Sequence, residues 1–319
     1  MSIQVKGTIL TLVAGIAWGI SGVSGQYLMA AGVPILWLTS IRLFVSGICL
    51  LGIAFCVSRQ QLKILFRDKK ALGQLLFFAL FGLLLNQFSY LQAIHHTNAG
   101  TATVLQYVCP VIVLVYACLR QRRWPSKGEV TSIFLAIAGT VLIATHGNLT
   151  SLAVTPIGLF WGLFSALTYT LYIVLPVGLI KKYGSLPTIG VGMLMGGILL
   201  GLLDRSWTYH PSLTTDNLIA LFGIVMIGTV FAYTFFLQGV SIVGEVKGSL
   251  LAAIEPVSSV FFGILLLGEV FYPVDFLGML SILLAVLLIS LKDLFNQRKL
   301  SQKKLPSHEG GQESRNRKG

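Results

Sequence analysis

Ten apolar stretches divide this chain, each long enough to cross the roughly 30 Å hydrocarbon core of a bilayer, which takes about 17–25 helical residues. They fall at about 8–28, 36–57, 71–92, 99–119, 128–146, 155–176, 187–203, 216–238, 247–267 and 273–291. The sequence of 319 residues is 55% hydrophobic and 11% charged, with mean hydropathy +0.83. A water-soluble domain carries about 25% charged residues, so this chain has too little polar surface to fold in water. Lipid offers no hydrogen bonds to a backbone, and a helix satisfies its own. The expected fold class is an all-α polytopic membrane protein with ten transmembrane helices.

Charge placement tests the count. Loops on the side of the N-terminus collect Lys6, Arg59, Lys63, Arg67, Lys69, Lys70, Arg120, Arg122, Arg123, Lys127, Lys181, Lys182, Lys247 and the basic tail. The opposite loops hold Arg205 alone. Positive segments resist translocation, so both termini are expected in the cytoplasm and the chain in the plasma membrane as a multi-pass protein. The net charge of +12 is explained by this topology, and no nucleic acid is implied. No CxxC, HExxH or GxxxxGK[ST] pattern occurs, so no metal, nucleotide or other cofactor is expected. Residues 293–319 are polar and basic, a composition expected to stay disordered as a cytoplasmic tail. Trp37 sits near a span end and reads as an interfacial anchor.

An internal repeat organises the spans. At one offset of 146 residues, Leu91 pairs with Leu237, Gln92 with Gln238, Pro110 with Pro256, Val111 with Val257, Gly82 with Gly228 and Glu129 with Asp275. The first spans of the halves match more loosely, with Trp18 opposite Tyr169. Two halves follow, 1–147 and 154–292, with five spans each. Five is odd, so the second half is expected upside down in the bilayer. Inverted repeats are the architecture of alternating access, with substrate bound near the midplane between them. Helix-breaking Pro110 and Pro256 lie inside apolar spans, and freed carbonyls there are tolerated where they line a cavity or meet protein.

The Leu-Gln-small-apolar segments, the mid-span Pro-Val and Gly268-Glu269 after the ninth span resemble the drug/metabolite transporter superfamily, EamA type. That resemblance spans residues 7–291. It implies ten helices in two inverted five-helix repeats and secondary transport of a small organic metabolite, an amino acid or related compound, with export the commoner direction. A homodimer is compatible with it. The first half departs from the pattern, since Cys109 stands where an acid often precedes the proline.

Candidate pathway residues are polar groups in apolar surroundings. Glu255, beside Pro256, is an acid whose charged form costs roughly 2.5–3.5 kcal/mol at a helix centre. Burial disfavours that form, which suits Glu255 to take and release a proton as coupling ion. A structural partner for it is the competing reading. Arg42 could hold a carboxylate or phosphate with its planar fork, or pin helices. Trp18, Tyr169, Tyr107 and Tyr233 suit a flat or apolar small-molecule substrate, or plain packing. Asn86, Gln87 and Gln106 offer neutral hydrogen bonds, and Gln92 and Gln238 are expected to join helices.

Two other classes compete. GISG at Gly19–Gly22 and GVSG at Gly22–Gly25 resemble the nucleophile stretch of rhomboid intramembrane proteases, but no histidine lies near a span centre to act as base. A channel would want a repeated ring of polar groups, and only isolated ones occur.

Overall fold

The computed structural model describes residues 3–120, 122–148, 153–212, 214–244, 248 and 251–303. Among these all regular structure is helical. In chain order the helices are α1 (Ile3–Ala30), α2 (Ile35–Val57), α3 (Arg59–Arg67), α4 (Lys69–His96), α5 (Ala99–Arg120), α6 (Lys127–Thr145), α7 (Pro156–Tyr183), α8 (Ser185–Asp204), α9 (Thr215–Val243), α10 (Ile254–Leu267) and α11 (Pro273–Lys303). Eight of them, α1, α2 and α4–α9, are long and apolar enough to cross a membrane. α10 and the apolar part of α11, Pro273–Leu288, are shorter. The ninth apolar stretch is thus no uniform helix: α10 starts at Ile254, beyond a turn at Ala253.

Helix starts follow local chemistry. Asp68, Asn98, Thr155 and Thr214 each accept a backbone N–H three residues on, satisfying donors the first turn leaves open. At α6, Ser126 and Glu129 form a reciprocal capping box.

The repeat is visible in the backbone. Tyr107 interrupts α5 with φ −68 and ψ 2, and Ala253, its partner at the same offset, precedes α10 with φ −62 and ψ 0. Each break stands three residues before a proline. α4 widens to a π-helix over Ala79–Leu84 and α9 over Gly223–Phe231; 79 + 146 to 84 + 146 is 225–230, inside the second. π segments recur at functional sites. Glu129 accepts the N–H of Ser126, and Asp275 accepts that of Tyr272.

Packing obeys the same exchange. α2 packs on α8 and α6 on α11, each a helix against its own counterpart. α1 packs on α9 and α10, while α7 packs on α4 and α5. Small residues allow the closest of these approaches: a Cβ on Gly197 would lie 2.4 Å from the backbone nitrogen of Phe44.

Four features differ from the sequence expectations. Helix α3 was not foreseen; it turns Leu62 and Leu65 inward and leaves Arg59, Lys63 and Arg67 exposed, the pattern of a surface amphipathic helix. α11 continues to Lys303 instead of ending near 291, since each further residue adds a hydrogen bond to an existing helix; residues 304–319 lie outside the described residues. Trp37 is 8% exposed and stacks edge-on against Tyr209 at 5.8 Å, so it is core and no lipid-facing anchor. Gln238 is exposed, and neither it nor Gln92 makes an interhelical side-chain hydrogen bond among the described residues. Hydroxyl pairs join helices there instead.

A candidate substrate cavity at the helix breaks

Where the two breaks face one another, a cavity of about 730 Å³ opens between the halves. Its walls include Trp18, Arg42, Asn86, Gln106, Tyr107, Tyr169, Tyr233 and Glu255, together with Pro110 and Gln87. The structure therefore brings every candidate pathway residue to one space. Pro256 is buried in the same turn as Glu255.

Glu255 stands in the first turn of α10 and is 8% exposed. The Tyr107 hydroxyl lies 3.1 Å from its Oε2 and 3.0 Å from the carbonyl oxygen of Ala252. That carbonyl is four residues before Pro256, which has no N–H to offer it. The break in α5 supplies the substitute donor, because it is Tyr107 itself that leaves helical geometry there.

Arg42 reaches the cavity from the second turn of α2 and is 5% exposed. Its Nε donates to Thr229 Oγ1 at 3.0 Å, and Thr229 donates in turn to the carbonyl of Ile224 within the π segment of α9. Its Nη1 is enclosed and has no partner. Among the described residues no carboxylate comes within the 4.0 Å of an ion pair.

The aromatics form a continuous wall. Phe236 and Tyr233 pack on Trp18 at 5.1 and 5.7 Å, Tyr172 meets Tyr233 at 6.3 Å, and Tyr169 stacks on Tyr172 at 5.7 Å. Between α4, α5 and α7, Asn86 Oδ1 accepts from Gln106 at 3.3 Å and Thr168 at 3.5 Å, and Ser89 and Thr168 share a 2.8 Å bond.

The two ends of the cavity differ. Toward the C-terminal end of α1, Tyr90 and Thr103 share a 2.6 Å bond, Thr103 and Ser259 one of 3.2 Å, and Tyr90 lies against Gly22. Beyond them Gln26 donates to Glu269 and accepts the N–H of Ala99 at 2.6 Å. Burial lifts the Glu269 carboxyl above the ordinary carboxylate range. These bonds close helices α1, α4, α5 and α10 together. At the other end the cavity reaches Arg123, Glu129, Pro176 and Ile180. There Arg123 donates to Glu129 at 2.8 and 3.0 Å.

Sequence reasoning missed Thr229, Tyr90, Thr103 and Ser259. Hydroxyls in an apolar run leave little mark in a hydropathy pattern; the signal that could have found Thr229 is its place beside Gly228, a repeat position. The GxSG serines have a packing role. Ser21 Oγ has no hydrogen-bond partner, hence no base, and Ser21 and Ser24 pack against Gly228 and Gly223 of α9.

Comparison with known proteins agrees with this architecture. The model of the EamA-like transporter family matches residues 5–145 and again 156–291. The inner membrane transporter YicL of Salmonella typhimurium is 38% identical over 90% of this chain and 95% of its own length. Transporter YwfM of Bacillus subtilis is 25% identical over 89% and 93%, and inner membrane transporter YedA of Escherichia coli K12 is 27% identical over 86% and 88%. A crystal structure overlays with TM-score 0.60, covering 92% of this chain and 98% of its own at 16% identity, a likeness of fold alone. The chain belongs to the EamA-like transporter family and is a multi-pass membrane transporter.

Proposed function

We propose that this protein is a secondary active transporter that carries a small organic metabolite, an amino acid or related compound, across the plasma membrane, with Glu255 as its proton-coupling group. The halves 1–147 and 154–292 act as inverted five-helix repeats that rock about the cavity, with both termini in the cytoplasm. One observation carries this reading: the two repeat-related breaks, and every candidate pathway residue, meet at one cavity that is hydrogen-bonded shut at one end and reaches the basic loops at the other. A channel would need both ends open at once. Here the bonded end lies on the side assigned to the exterior, so the conformation is inward-facing. Export of a cytoplasmic solute begins from such a state, and export is the direction we favour.

The test is flux in proteoliposomes with an imposed proton gradient. Transport by wild type that collapses with a protonophore, and that loses its gradient dependence in Glu255→Gln, is the expected result. Uphill accumulation that is indifferent to the gradient in wild type would remove the proton from the mechanism. Passive flux with no saturation would favour a channel.

A further inference from the structure

We infer that the cavity in this conformation is a site for an organic monoanion, with Arg42 receiving the carboxylate while Glu255 holds the proton. The inference builds on the transport reading and narrows its substrate to a compound related to an amino acid by its carboxylate but without the ammonium group.

The first step is a count of protons at Tyr107. Its hydroxyl has one hydrogen and stands within bonding distance of two groups, the Ala252 carbonyl at 3.0 Å and Glu255 Oε2 at 3.1 Å. The carbonyl only accepts, and an ionised carboxylate only accepts. With Glu255 ionised, one of the two goes without a donor. With Glu255 protonated, the carboxyl donates to the tyrosine oxygen, the tyrosine donates to Ala252, and both contacts are hydrogen bonds. The geometry fits the protonated acid.

The second step is a count of charge. Facing Glu255 are Tyr107 of α5, Tyr90 of α4, Tyr169 of α7, Tyr233 of α9 and Arg42 of α2. Of these only Arg42 is charged. Arg123 and Glu129 neutralise one another at the far rim. A neutral Glu255 therefore leaves Arg42 as the one uncompensated cation among the described residues that line the cavity. Buried charges are ordinarily paired, yet this guanidinium has one neutral partner, Thr229, and an enclosed Nη1 with none. The missing counter-ion is supplied by what binds. An ionised Glu255 would be a rival anion in the same cavity, so loss of its proton weakens the substrate's hold. Proton and anion then cross together, without net charge, so an inward proton gradient drives the anion inward, and export by the same step runs on the solute's own outward gradient. The aromatic wall from Phe236 to Tyr169 selects an apolar or flat body behind the carboxylate.

The experiment uses the purified full chain and thermal-shift titration with aromatic probes that differ in their charged groups: phenylacetate (anion), 2-phenylethanol (neutral), phenethylamine (cation) and phenylalanine (zwitterion). Acetate, butyrate and indole-3-acetate vary the size. Each is titrated at about pH 5.5 and about pH 8, where a linked proton changes affinity. We expect a carboxylate to raise the melting temperature, with apparent affinity at least about tenfold higher at the acid pH. Glu255→Gln should bind it equally at both values. Arg42→Gln should lose at least about tenfold, in line with a charge-assisted bond, and Arg42→Lys should retain part of the affinity, showing that the site is folded. Tighter binding of the amine or the zwitterion, or binding that strengthens with rising pH, overturns the inference. So does a wild type that no carboxylate in the series stabilises. Carboxylates that bind as stated but do not cross proteoliposome membranes would sink the transport reading and leave the anion site standing. Transport of the amine through wild type would do the reverse.

Discussion

Replacing Tyr107 by phenylalanine removes one oxygen from the cavity wall and almost no volume. The loss falls on Ala252, whose carbonyl is denied an N–H by Pro256 and has the Tyr107 hydroxyl 3.0 Å away. A buried acceptor left unsatisfied costs about 1–3 kcal/mol. Converted at about 2 °C per kcal/mol for a chain of this size, the melting temperature should fall by about 2–6 °C. Tyr169→Phe is the matched control. Tyr169 lines the same cavity and stacks on Tyr172, but no hydrogen bond of its hydroxyl occurs among the described residues, so its removal should cost under about 0.5 kcal/mol. Both variants are to be scanned in one detergent at one heating rate, since unfolding of such proteins is often irreversible. A Tyr107→Phe protein that melts no lower than Tyr169→Phe would refute the reasoning, because the break would then have another donor for Ala252.

Three further outcomes follow from the same geometry. Gly197→Ala should cost about 1–3 kcal/mol, because its Cβ would meet the backbone nitrogen of Phe44 at 2.4 Å, whereas Gly52→Ala, on an open face of the same helix pair, should gain about 0.5–1 kcal/mol; melting temperatures of the two variants compare them directly. Thr229→Val removes the partner of Arg42 Nε and should destabilise by about 1–3 kcal/mol, while adding Arg42→Met should recover part of that loss, as replacing both members of a buried polar pair costs less than breaking it; a double variant less stable than Thr229→Val would count against this account. Burial raises the carboxyl of Glu269, so the folded chain binds that proton more tightly than the unfolded one and stability falls as pH rises past about 4.3. Glu269→Gln lacks that loss and keeps an acceptor for Gln26, so its advantage in melting temperature over wild type should grow between about pH 4 and about pH 7; a constant difference would show that Glu269 does not titrate in this interval.

Much of this fold could be read from the residues, for a physical reason. Lipid imposes long apolar runs, and duplication imposes one register, so Pro110 with Pro256 and Gly82 with Gly228 already marked positions where the structure places breaks and π segments. Charged groups were equally legible, because Glu255 and Arg42 stand out in apolar surroundings. What escaped was whatever carries no hydropathy contrast. Thr103, Ser259 and Thr229 read as tolerable polar residues in a span, and only tertiary packing shows that they tie helices to one another and to Arg42. Trp37 and Gln238 failed in the opposite direction. A residue's place along a helix says nothing of which face it occupies until the neighbouring helices are known.

The repeat also explains why the chemistry is lopsided. The backbone is nearly exchangeable between halves, since Tyr107 and Ala253 share one conformation and Glu129 and Asp275 bind the same N–H three residues before them. The side chains at the breaks are not exchangeable. Where one half has Glu255 the other has Cys109, whose thiol meets the Thr170 hydroxyl at 3.4 Å. Where one break carries a tyrosine hydroxyl, the other carries Ala253. Arg42 has no counterpart arginine in α8. The transport cycle proposed above requires two conformations of similar energy, and a symmetric frame suits that requirement. Away from the Arg123–Glu129 pair, Glu255, Arg42 and Tyr107 then offer a bound solute one set of contacts instead of two competing ones. The acid stands on α10, one of the helices tied shut by the Tyr90, Thr103 and Ser259 bonds. On the proposed proton coupling, gaining or losing a proton at Glu255 changes both the charge of the cavity and the hydrogen bonding at the break before α10.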